Sequence, residues 1–189
     1  MRYISAFPPE HRISRDAVLI HVRDLMAADL KIPYLKALQG YLWLSGYKSG
    51  ELRCPLFPDV APALKRWTEE GKRVLIYSSG SVAAQKLLLE YTTEGDLRQY
   101  ISGWYDTVNS GMKQEKESYT KIVEMEKEAG VDIEAGEWVF FSDNVKEIEA
   151  SRAVRMQAVL TFRPGNAEVS EEDKSKQRCC DSFEKVELA

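Results

Sequence analysis

Three short stretches of this 189-residue chain combine residue types that can handle an anionic group. The first is Ser78-Ser79-Gly80-Ser81, which follows the apolar run Arg73–Tyr77 (RVLIY) and precedes a helical pattern. Hydroxyls and backbone N–H groups at a helix N-terminus form a natural phosphate cradle. The plainer alternative is that Ser79 or Ser81 only caps the helix. The second is Lys113, in Asn109-Ser110-Gly111-Met112-Lys113 just ahead of another helix. A lysine there can meet a phosphate oxygen as a point charge, or can simply be solvated. The third is Ser142-Asp143-Asn144, straight after Val139-Phe140-Phe141. A carboxylate at the mouth of a buried strand suits a hard cation. Its alternative is again a cap, with Asp143 or Asn144 accepting a backbone N–H.

These stretches need elements to hold them, and the apolar periodicity supplies candidates. Val18, Val22, Leu25, Met26 and Leu30 recur at helical spacing from Asp16 onward. Ile32-Pro33 breaks that run, and a second helix carries Leu35, Leu38 and Leu42 toward Gly46. Residues 1–15 show little pattern, and Pro8-Pro9 argues against a central strand there. Gly50 to Pro58 reads as a linker. Beyond it the rhythm becomes alternating helix and strand: helix from Val60 to about Gly71, strand 73–77, helix 82–91, a short strand at Trp104-Tyr105, helix 115–129, strand 138–141, helix 145–154 and strand 157–162. Such alternation implies a parallel sheet with helices on its faces. Strands in such sheets are buried on both sides and read as continuous apolar runs. Ligands then sit beyond the carboxyl ends of the strands, where all three stretches fall. The tail after Pro164 is charged and poorly patterned.

The composition excludes several classes. A formal net charge of −4 argues against broad nucleic-acid binding, though an acidic protein can still hold a locally positive pocket. Three cysteines, Cys54, Cys179 and Cys180, do not form a secreted disulfide framework. No run approaches the roughly 18 apolar residues that cross a bilayer, and the first residues lack a signal-peptide pattern. The default location is the cytosol.

The order strand–Ser, Lys, strand–Asp resembles the second, third and fourth motifs of the haloacid-dehalogenase superfamily. The likeness narrows along Leu35-Lys36-Ala37-Leu38-Gln39-Gly40, Trp43, Gly46-Tyr47, Gly50-Glu51-Leu52 and Phe57-Pro58-Asp59-Val60. It continues through Tyr77-Ser78-Ser79-Gly80-Ser81, Ala84-Gln85-Lys86-Leu87-Leu88, Thr93-Glu94-Gly95-Asp96, Gly111 with Lys113, Glu117-Ser118-Tyr119, Ser142-Asp143-Asn144 and Arg163-Pro164-Gly165-Asn166-Ala167. Together these runs are similar to the enolase-phosphatases of methionine salvage. The resemblance implies a Rossmann-like α/β fold with a small helical cap, the cap over residues 1–52 and the phosphatase core over 53–189. It implies a Mg2+-dependent phosphomonoester hydrolase acting on 2,3-diketo-5-methylthiopentyl 1-phosphate. Ser78, Ser79 and Lys113 would bind phosphate, and Asp143 would hold the metal. It further implies a monomer in the cytoplasm, with the nucleus a further possible location.

One part of the pattern is not found. The family's nucleophile lies in an Asp-x-Glu-Gly-Thr-like run after the first strand, and this sequence contains no such run. Asp24 lies inside an amphipathic helix, and Asp16 reads as a helix N-cap. The expectation is a chain that begins within the cap, lacks its first, central strand and its attacking aspartate, and is inactive and unstable as it stands. Loss of a central parallel strand should leave two bare edges and a groove in the core. The alternative is a non-catalytic paralogue that binds a phosphometabolite or a protein partner. A different phosphate monoester as substrate is disfavoured by the cap-region motif.

Overall fold

Helical periodicity at one end and strand–helix alternation beyond it become two separate units in a computed structural model, Met1–Cys54 and Pro55–Ala189. It describes residues 3–30 and 32–188.

In the smaller unit, helix α1 spans Arg15–Ala27 and α2 spans Pro33–Ser49. Ser14, not Asp16, is the N-cap of α1, its hydroxyl accepting the Ala17 N–H at 3.1 Å. Asp16 lies in the first turn instead, where a carboxylate still favours the positive end of the helix dipole. Asp24 is inside α1, as its amphipathic setting required. Pro33 starts α2, where its missing N–H costs nothing. The helix continues past Gly46 to Gly50, whose φ of 80° suits the left-handed cap that glycine tolerates. Gly46 stays because of packing: a Cβ there would lie 2.6 Å from Leu52 Cδ1. Residues Ile4–Ala6 and Pro9–His11 form short 3₁₀ turns and no strand. Between them Phe7 is buried, its ring 4.5 Å from that of Tyr34.

The larger unit contains α3 (Val60–Glu69), β1 (Leu75–Ser78), α4 (Val82–Glu90), β2 (Gly103–Asp106), α5 (Lys116–Glu128), β3 (Val139–Ser142), α6 (Val145–Ala153), β4 (Gln157–Thr161), α7 (Glu171–Ser175) and β5 (Arg178–Cys180). All strand pairs are parallel, as the alternation requires. They form two sheets, β1-β2 and β3-β4-β5. Among the described residues β1 and β3 each pair on one side only, so each leaves one bare edge. The apolar strand LIYS and the strand VFFS are consequently half-buried, whereas Ala158, Val159 and Leu160 of the doubly paired β4 are no more than 5% exposed. The two sheets still share a support. The rings of Tyr77 on β1 and Phe140 on β3 both meet Tyr119 of α5 edge-on, at 5.6 and 5.0 Å.

The charged tail is more ordered than its pattern suggested. It holds α7, and β5 pairs with β4. Successive side chains of β5 face opposite sides, so Cys179 packs with Ile148, Ala158 and Leu160 while Cys180 packs with Ala63, Leu64 and Trp67. Phe183 lies 5.4 Å from the Trp67 ring, and Arg66 donates to the carbonyls of Phe183 and Val186.

Candidate active site

The chemically promising residues stand at or beyond the carboxyl ends of strands, and local hydrogen bonds explain their positions. After β2, the chain must turn into α5. Tyr77 donates to the Gly111 carbonyl at 2.7 Å, Ser118 to that of Met112 at 2.7 Å, and Tyr119 to that of Lys113 at 2.6 Å. Gly111 adopts φ 115°, and a Cβ there would fall 2.6 Å from Ser118 Oγ, so the turn requires glycine. Burial pushes both the Tyr77 and the Tyr119 phenols above their ordinary range, which keeps them as donors.

The loop so held sends Lys113 to the mouth of β3. Its ammonium pairs with Glu147 Oε2 at 2.6 Å and lies 5.9 and 6.0 Å from the Tyr77 and Phe140 ring centres. Ser142 Oγ donates to the same Glu147 oxygen at 2.7 Å. Glu147 was not singled out from the sequence. It lies in the first turn of α6, and the ion pair that makes it part of the site is to a residue too distant in sequence for any local spacing to show.

Capping duties resolve two ambiguities. Asn144 accepts the Lys146 N–H at 3.0 Å and caps α6, leaving Asp143 outside the cap. Asp143 is exposed, and its Oδ2 accepts from Asn166 Nδ2 at 2.9 Å. Ser81 caps α4 by accepting the Ala84 N–H at 3.3 Å, leaving Ser79 exposed. Buried Gln85 holds this turn, its Nε2 donating to the carbonyls of Gly80 and Tyr105, both at 2.8 Å. Ser78 Oγ is engaged by the Gly80 N–H at 3.1 Å.

Lys113 and Asp143 line one cavity of about 350 Å3, together with Phe57, Phe141, Arg163, Asn166 and Phe183. Ser78 and Ser79 are not among its lining. They stand at the end of β1, in the two-stranded sheet. The cavity floor is anchored by a buried ion pair. Arg163 donates to both oxygens of Asp59, at 2.9 and 2.6 Å, and its guanidinium lies 4.9 and 4.8 Å from the Phe57 and Phe183 ring centres. That pair holds the Asp59 carboxyl far below the usual carboxylate range.

The donors present are compatible with a magnesium ion. Magnesium is commonly held through one or two carboxylates, waters and substrate phosphate rather than a full protein cage. Asp143 offers one exposed carboxylate beside a cation-lined cavity, and among the described residues no group of three or more His, Cys, Asp or Glu side chains could enclose a metal alone.

Parallel strands, intervening helices and a lysine–aspartate mouth define a class, the haloacid dehalogenase-like hydrolases, and a family profile of that description matches residues 19–155. The chain is 57% identical to enolase-phosphatase E1 of Botryotinia fuckeliana, over 98% of this chain and 76% of that protein. It is 46% identical to enolase-phosphatase E1 of Yarrowia lipolytica, over 98% of this chain and 78% of that protein. A crystal structure of the UTR4 protein of Saccharomyces cerevisiae superposes with a TM-score of 0.82 at 37% identity, covering 98% of this chain and 80% of that one. A dehalogenase structure at 20% identity and TM-score 0.58 shares the fold. The chain belongs to the enolase-phosphatase family of haloacid dehalogenase-like hydrolases.

Proposed function

We propose that this chain's cavity is the phosphate- and metal-binding part of an enolase-phosphatase site acting on 2,3-diketo-5-methylthiopentyl 1-phosphate in methionine salvage. The observation that carries the reading is the convergence of Lys113 and Asp143 on one cavity at the carboxyl end of β3. Phosphoryl transfer depends mainly on positioning and charge neutralisation. Lys113, fixed by the Tyr77, Ser118 and Tyr119 hydrogen bonds, meets phosphoryl oxygens as a preorganised cation. Ser78 and Ser79 offer a hydroxyl and backbone N–H groups to the same phosphate. Asp143 would hold a magnesium ion, whose chemistry is to neutralise developing charge on the phosphoryl oxygens. Glu147 holds the Lys113 ammonium at the mouth of β3. The apolar lining of Phe57, Phe141 and Phe183 suits the uncharged methylthio end of the substrate. A monomeric, cytoplasmic enzyme fits the reading, and among the described residues no helix is long and apolar enough to cross a membrane.

The test uses the chain joined to a strand-and-loop segment that carries an Asp-x-Glu-Gly-Thr-like run. Phosphate release from the diketo phosphate is measured with Mg2+. Lys113→Ala and Asp143→Asn should each lower kcat by about 100- to 1000-fold, Asp143→Asn with unchanged thermal unfolding and Lys113→Ala with a lower melting temperature, because it leaves the buried Glu147 unpaired. Near-normal turnover in either variant removes that residue from the mechanism. Equal turnover of unrelated phosphate monoesters sinks the substrate assignment.

A further inference from the structure

The loop after β4 reaches Asp143 through the side chain of Asn166. Asn166 uses its backbone N–H and both ends of its side-chain amide. Its backbone N–H donates to the Arg163 carbonyl at 3.0 Å, and its Oδ1 accepts the Arg163 N–H at 2.7 Å. That acceptance fixes the amide's orientation, because only an oxygen can face an N–H donor, and it turns Nδ2 toward Asp143. Gly165, at φ 92°, permits the tight return. An exposed amide–carboxylate contact between residues 23 apart would ordinarily be loose. This one starts from a rigid base. The Arg163 side chain is only 10% exposed, is doubly bonded to Asp59 and is flanked by two phenyl rings. Order therefore passes from the buried Asp59–Arg163 pair, through the loop, to the carboxylate at the cavity.

We infer that Asn166 is a positioning residue, which holds the Asp143 carboxylate in one orientation at the Lys113 cavity. The inference rests on the proposed role of Asp143 as a cation ligand. A carboxylate that must reorient before it binds loses affinity, and removing such a supporting partner typically costs about 10- to 100-fold in metal binding.

The experiment titrates Mg2+ alone into the 189-residue chain and follows backbone amide shifts around Asp143. Asn166→Ser keeps an oxygen that can accept the Arg163 N–H, so the turn survives, but it cannot reach Asp143. Asn166→Ala removes both contacts. Both variants should weaken Mg2+ binding about tenfold or more, and Asn166→Ser should keep the parent's melting temperature. Asp143→Asn should abolish the response. If Asp143→Asn abolishes it while Asn166→Ser stays within twofold of the parent, the positioning role is wrong. If Asp143→Asn leaves the response intact, the ligand role of Asp143 fails and the inference falls with it.

Discussion

Lys113 owes its place to neighbours whose hydroxyls grip its own carbonyl and the two before it, and this dependence can be measured. Tyr119→Phe keeps the ring, with its edge contacts to Tyr77 and Phe140, and removes only the hydrogen bond to the Lys113 carbonyl. A lost intramolecular hydrogen bond costs about 1 kcal/mol, and up to about 3 when its partner is left buried and unpaired. Urea denaturation should show a loss in that range, while an unchanged midpoint would mean the carbonyl is readily rehydrated. Lys113 and Asp143 were legible in the sequence because each stands just past an apolar run or its turn, where a parallel sheet places ligands. Glu147 and Asn166 were not. Glu147 is buried against Lys113, thirty-odd positions away in sequence, and Asn166 matters through a contact with Asp143 that no local pattern announces. Ser79 and Ser81 illustrate a different limit. Either could have capped α4, and only the backbone geometry assigns the cap to Ser81.

At the scale of elements, Asp59 is the residue on which the larger unit's periphery converges. From the start of α3 it binds Arg163 after β4 and accepts the Phe183 N–H and the Ser182 hydroxyl beyond β5. Asp59→Asn would strand a buried guanidinium, a change that costs about 3–5 kcal/mol. The pH dependence follows from the direction of the shift. The folded carboxyl titrates well below its unfolded value of about 3.9, chiefly because of its hydrogen bonds to Arg163. Its stabilisation is therefore complete above that pH and is lost as pH falls from there toward the folded value. Urea midpoints measured from pH 7 down to pH 2 should drop steeply below about pH 4 in the parent and less steeply in Asp59→Asn. Equal slopes would show that other carboxylates govern the acid limb. The first four strands could be read from their apolar runs, to within two residues at each end. β5 could not, because its three residues, Arg178–Cys180, are too short to show a period, and its place depends on pairing with β4. The helix caps shifted for a related reason. Ser14 competes with Asp16 for the same N–H groups, and the extended backbone at Ser14 decides.

Across the whole molecule, the division into a two-stranded and a three-stranded sheet sets a gradient of local stability. β4 is paired on both sides and buried, whereas β1 and β3 are each paired on one side and half-buried. Amides open with free energies that follow such burial and pairing. Hydrogen exchange of the 189-residue chain should leave β4 as the slowest strand, with β1 and β3 clearly faster. Equal protection in all three would show that the two bare edges find partners in solution, for instance in a second copy. The alternation of β5 has a chemical consequence of its own. Cys179 and Cys180 are neighbours in sequence, but one sulfur is committed to the Ile148 cluster and the other to the Trp67 cluster. Burial also pushes the pKa of both thiols up, so little of either is present as the reactive thiolate at neutral pH. A reagent that must grasp two sulfurs at once, such as a trivalent arsenical, meets them as a pair only after β5 has left the sheet.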